Sequence, residues 1–144
     1  AHKDKLPKIA NLFNRDGGPE PPVGISVPQA MYDDFVKISE PIQKIRPDYP
    51  FEVKVREPRK RPTRMGGTDA SVFAIEGVPT LGFTTEDFKG YDFDYGEIWH
   101  TERDLYTKNI PEYQEHTATV TAIIALGVAN LDKQLSREGL YTEE

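Results

Sequence analysis

Lys8-Ile9-Ala10-Asn11-Leu12-Phe13-Asn14-Arg15-Asp16-Gly17-Gly18 is an apolar run halted by a polar turn. It reads as a buried strand over 8–14 that stops at an Asp-Gly-Gly turn. Open α/β sheets place ligand-binding groups at the carboxyl ends of their strands, where Asp16 would fall. By itself the pattern is better read as an ordinary Asp-Gly turn. Pro19-Glu20-Pro21-Pro22-Val23-Gly24 follows, too rich in proline for regular structure, and is expected to be a rigid extended segment.

Working outward, Ser26-Val27-Pro28-Gln29 is expected to open a helix, with Ser26 as N-cap and Gln29 as its capping-box partner. Met31, Phe35, Ile38, Ile42 and Ile45 form an apolar stripe at helical spacing. Pro41 interrupts that stripe and predicts a kink or a break. Pro47 ends the helix, and Phe51–Arg56 alternates as a half-exposed strand should. Thr68 or Asp69 is expected to cap a short helix that Gly77 terminates, with Pro79–Thr84 the next buried strand.

Residues 85–109 show no sustained period and carry many aromatics. A loop of that length inside a domain is usually functional, and its aromatics suit either a cleft wall or a cover for the sheet edge. Asn109 and Glu112 are the expected cap and capping-box partner of a last, long helix. Its apolar face carries Val120, Ile123, Ile124, Gly127, Leu131 and Leu135. His116, in the polar first half, is expected to face solvent. The acidic tail from Ser136 is expected to fray. The pattern is α/β, a mixed sheet flanked by helices, in one domain over 1–144 with no internal repeat.

The 144 residues carry a net charge of -6, which argues against a nucleic-acid surface. The one basic run, Arg56–Arg64, is broken by Pro58 and Pro62 and reads as a solvated loop. No apolar stretch approaches the length of a membrane span. The absence of cysteine excludes disulfides, a thiol nucleophile and thiolate metal sites. Without an initiator Met, the opening residues are expected to come from a processed form or from within a longer polypeptide.

Glu97-Ile98-Trp99-His100-Thr101-Glu102-Arg103-Asp104 holds one of three histidines, between a predicted strand and the longest helix. A histidine there, with an aspartate four residues on, can be a metal ligand with a carboxylate nearby to orient it. On spacing alone it is a surface histidine in a charged loop.

Three pieces then line up in order: the strand into Asn14-Arg15-Asp16-Gly17-Gly18, then Gly67-Thr68-Asp69-Ala70-Ser71-Val72-Phe73, then Trp99-His100-Thr101-Glu102-Arg103-Asp104 before an amphipathic helix. Together they resemble the C-terminal half of the co-catalytic zinc peptidases of metallopeptidase family 28, which include bacterial leucyl aminopeptidases and plasma glutamate carboxypeptidase. The resemblance implies a three-layer α/β/α zinc-exopeptidase fold of which this chain is a C-terminal fragment. It implies Asp16 and His100 as zinc ligands. Thr68, Asp69, Trp99 and Asp104 would stand beside the metals or the substrate, with Asp104 fixing the loop that carries His100.

By the same resemblance, two zinc ions in the complete domain would activate one water to hydrolyse a peptide substrate near its terminus. The general base Glu, a His-x-Asp pair and a further Glu ligand would lie upstream, so this stretch alone cannot assemble the site, can be metal-free and is expected to be inactive. Ala70 and Trp99 depart from the family's usual histidine and tyrosine. The expected partners are the missing N-terminal half and, through an exposed sheet edge, a second copy. The family suggests a periplasmic or secreted location. The competing implication is a non-catalytic binding module of the transferrin-receptor type.

Overall fold

The computed structural model describes residues 2–142. Its central strand is β1, Pro22–Val27, which begins in the Pro19–Gly24 stretch expected to be irregular and runs into the residues expected to open a helix. β1 pairs in parallel with β2, Glu52–Val55, and antiparallel with β3, Phe83–Thr85, giving a mixed sheet of order β2-β1-β3. Proline is tolerated at Pro22 because it is the first residue of the strand. Ser26 therefore lies inside β1 and caps nothing; a short 3-10 turn over Gln29–Met31 leads instead into α1, Tyr32–Ile45.

α1 runs through Pro41 without a break. The missing amide would have reached the Lys37 carbonyl, and both residues are exposed, so water can take that bond. Phe35, Ile38 and Ile42 form the buried face of α1, as their spacing predicts. α2, Ala70–Ile75, follows Asp69 and is terminated at Gly77 (φ 75°), as expected. Asp69 makes no side-chain capping bond; the first turn is closed by the Ser71 N–H donating to the Thr68 carbonyl at 3.1 Å.

Residues 8–14 do not form the predicted strand. The Leu12 N–H donates to the Pro79 carbonyl at 2.9 Å, but the Asn11 side chain then takes the place of a ladder. Its Oδ1 accepts from the Leu81 N–H at 2.9 Å. A short polar side chain has outcompeted the backbone. The partner segment is accordingly regular only from Phe83, not from Pro79.

The 85–109 stretch contains a short helix α3, Tyr95–Ile98, capped by Asp94 through the Gly96 N–H at 2.8 Å. α4 spans Pro111–Ala129, with Pro111 in its first turn and Ile110 rather than Asn109 at the cap position. Its buried residues Tyr113, His116, Val120, Ile124 and Val128 recur every three or four positions. His116, expected in solvent, is wholly buried.

α1 and α4 pack on each other and on the sheet around Ile25, Val27, Phe35, Ile42, Val120 and Ile124. Gly127 lets them approach, since any Cβ there would meet the Ile38 side chain. Nor does the tail fray over 136–142: Leu140 is 1% exposed, and burying such a side chain is worth roughly 1.5–3 kcal/mol. The Thr142 N–H donates to the Arg59 carbonyl at 2.9 Å. The Arg137 guanidinium donates to the carbonyls of Leu6, Ile9 and Gly77 at 3.0–3.1 Å. Glu143 and Glu144 lie outside the described residues.

Gly127→Ala is expected to destabilise the fold by about 1–3 kcal/mol through overpacking against Ile38. It would do so even though alanine gains about 1 kcal/mol over glycine in helix propensity. Chemical denaturation checks this; an unchanged midpoint would mean that the two helices can move apart freely.

Candidate functional site

Asp16 ends the extended 9–14 segment, where the Asn14 amide donates to its Oδ2 at 2.7 Å. The neighbouring Arg15 folds back across the turn and donates to the carbonyls of Gly18 at 2.8 Å and Glu20 at 2.5 Å. At Gly17 a Cβ would meet the Arg15 guanidinium, so a side chain there would shift Arg15 from these bonds. Burial draws the Arg15 guanidinium below its usual range, against the attraction of Glu20, Tyr95 and Asp16. Arginine remains charged under such a shift. Its cost is met by carbonyl oxygens, which fix the peptide that carries Asp16.

His100 follows α3 in a left-handed backbone conformation, φ 56°. Such a conformation costs an L-residue roughly 1–2 kcal/mol and persists only where surrounding bonds impose it. Here Thr101 imposes it. Its hydroxyl donates to the carbonyls of Glu97 at 3.0 Å and Ile98 at 3.1 Å, and accepts from the Arg103 N–H at 3.2 Å. The Thr101 N–H closes back onto the Ile98 carbonyl at 3.0 Å. Asp104, expected to steady this loop, is tied to it among the described contacts only through its backbone N–H, which donates to the Thr101 carbonyl at 3.3 Å. Thr101, which reads from sequence as a generic loop residue, supplies these bonds.

Asp16, Thr68, Trp99, His100 and Asp104 all line one cleft of about 890 Å³. Asp69 lies in an adjoining hollow that shares Asp16, Gly67 and Thr68 with it. The two turns and the α3 loop, far apart in sequence, are thus brought to one opening. The Trp99 ring stands 4.7 Å from the His100 ring and is 58% exposed. Tyr95, Leu105 and Lys108 complete that wall, the last tied to Glu97 at 3.2 Å, and Gln114 and Thr117 of α4 line it as well. These residues were not singled out from sequence, because only the tertiary fold brings the α3 loop and the start of α4 to the same cleft.

Carboxylate and imidazole donors on one cleft suit zinc or a similar borderline ion. Among the described residues, however, no group of three or more His, Cys, Asp or Glu is placed to hold a metal. Asp16 and His100 are a donor pair, where a catalytic zinc takes three protein ligands and an open position. No protein-family model, curated protein or solved structure matches the chain.

The conformation of His100 is open to direct measurement. His100→Gly is expected to be more stable than His100→Ala by about 1 kcal/mol, because only glycine adopts this φ without strain. Equal thermal midpoints for the two variants would remove the strain argument.

Proposed function

We infer that the chain is the C-terminal portion of a zinc-dependent exopeptidase of metallopeptidase family 28, within a three-layer α/β/α domain. The observation that carries this reading is the meeting of Asp16 and His100 on one cleft, with Thr68, Trp99 and Asp104 around them and Asp69 beside it. The motif resemblance supports it independently, since it nominated those residues from three separate segments.

The donor set fits part of such a centre. Asp16 and His100 would each hold zinc, and upstream residues of the complete domain would supply the other ligands and the general base. Bound zinc would lower the pKa of a water toward about 7 and polarise the scissile carbonyl. This chain's own residues do the positioning. Arg15 fixes the Asp16 turn, Thr101 fixes His100, and Trp99 and Tyr95 line the cleft. The Trp99 indole N–H is a donor available near His100 for a developing oxyanion. Peptides are the substrate, the preceding half-domain is the partner in cis, and isolated residues 1–144 have little or no hydrolytic activity.

The test uses the longer polypeptide that carries the half-domain preceding Ala1. Zinc-dependent release of a terminal residue from a short peptide is expected, abolished by a chelator. Asp16→Ala or His100→Ala is expected to lower kcat/KM by at least about 100-fold while leaving the fold intact. A folded polypeptide that binds no zinc and hydrolyses no peptide would replace this reading with the non-catalytic binding module of the same fold.

A further inference from the structure

His116 is the one fully buried polar or charged residue among those described, and the reading above gives it no part. Its Nε2 lies 3.0 Å from the Pro22 carbonyl of β1, which can only accept, so Nε2 carries the proton. Nδ1 is buried and has no partner. The ring is stacked on Tyr49, centroids 3.8 Å apart and nearly parallel. The site is built for a neutral imidazole: one donor is satisfied, the other nitrogen is buried without a partner, and a second N–H would have nothing to bond.

Charged groups converge on the same place from each neighbouring segment. The linker after α1 brings Arg46, 4.8 Å from the Tyr49 ring centroid, and Asp48. The loop after β3 brings Lys89, 4.6 Å from the same centroid. Glu112, Tyr113 and Glu115 come from α4 itself, Glu115 pairing with Arg46 at 2.9 Å, and β1 contributes only the Pro22 carbonyl. Burial lowers the proton affinity of His116, Arg46 and Lys89 add to that, and the Pro22 carbonyl and Asp48 oppose it.

Above this ring lies a loop held shut by a bond network of its own. The Asp87 carboxylate accepts from the N–H groups of Tyr91 (3.0 Å), Asp92 (2.8 Å) and Phe93 (3.4 Å), and from the Tyr113 hydroxyl at 2.6 Å. The Tyr113 oxygen accepts in turn from the Lys89 N–H at 2.9 Å. Lys89 Nζ reaches Asp48 at 3.4 Å and Glu112 at 3.2 Å, and Tyr91 donates to Glu112. Of the loop's two positive-φ residues, Gly90 takes that conformation freely and only Asp92 is strained by it. Beyond it, the rings of Phe93 and Tyr95 lie against Gly18, beside Asp16.

We propose that protonation of His116 releases the Asp87–Phe93 loop, making it an acid-sensitive latch whose far end, Phe93, abuts the cleft residue Gly18. A second proton would put an unpaired N–H and a positive charge beneath Arg46 and Lys89. Both strains are relieved if the Tyr49 stack loosens and Lys89 moves out with its loop. The opened form takes up that proton near the ordinary histidine value of about 6.5, the closed form only at lower pH. Closure is therefore complete above about pH 6.5 and lost as pH falls below it. Asp48, Asp87 and Glu112 are all held below their ordinary carboxylate values. They titrate well under this window, so the two effects separate on the pH axis.

The test is amide hydrogen exchange of residues 89–93 in the intact chain between pH 7.5 and 5.5, corrected for the intrinsic pH dependence of exchange. Protection is expected to fall by up to about tenfold per pH unit below pH 6.5. His116→Gln, whose amide can still donate to Pro22, is expected to show no fall in that window. Unchanged protection in the wild type, or the same fall in His116→Gln, overturns the proposal. Should that variant not fold, the wild-type imidazole resonances decide. Titration of His116 together with the loss of protection supports the latch, whereas a fall in protection with His116 unprotonated overturns it.

Discussion

Everything in this structure depends on how closely α4 can lie against α1. The contact is set by Gly127, whose missing side chain leaves room for Ile38. Closeness matters because α4 has to serve the core and the cleft at once. Its second half fills the core with Val120, Ile124 and Val128, while its first half reaches over the end of β1. There Tyr113 and His116 meet the loop after β3 and the linker after α1, and Gln114 and Thr117 line the cleft. A helix held farther away would lose dispersion contacts over its whole length, since interiors are packed at near-crystalline density.

The cleft and the aromatic cluster around Tyr49 follow different physical rules. The cleft gathers polar groups at chain reversals, where backbone bonds lock unfavourable conformations such as that of His100. Its residues are presented, not buried. The Tyr49 cluster buries an imidazole among rings and surrounds it with charges whose own partners are on the surface. Ion pairs as exposed as those of Lys89 contribute little singly. The cohesion there comes from aromatic contact and from the Asp87 bonds that pull a strained loop shut.

Several elements were legible in the chain itself. The stripe of Phe35, Ile38 and Ile42, the alternation over 51–56, the Gly77 stop and the apolar face of the last helix each record a local period or a local backbone requirement. The Asp-Gly-Gly turn and the Trp-His-Thr stretch were legible too, as short polar punctuation between apolar runs. What misled were segments whose fate was settled by a distant partner. Pro19–Gly24 looks irregular because of its prolines, yet the strand that begins at Pro22 gains two neighbours in the sheet. Lys8–Asn14 looks like a strand, yet the Asn11 amide bonds the Leu81 backbone in place of a ladder. His116 looks solvent-facing by its neighbours Glu115 and Thr117, and is buried because Tyr49 stacks on it.

The sequence by itself determined that α1, α2 and α4 are helical, much of the apolar face of α1 and which residue types stand at the turns, because those depend on interactions within a few positions along the chain. Only the tertiary structure decided which strand is central, that the turns bearing Asp16, Thr68 and His100 share one opening, and that a histidine on a polar stretch is sealed inside. Those outcomes rest on contacts between residues tens of positions apart, whose free energy no local pattern records.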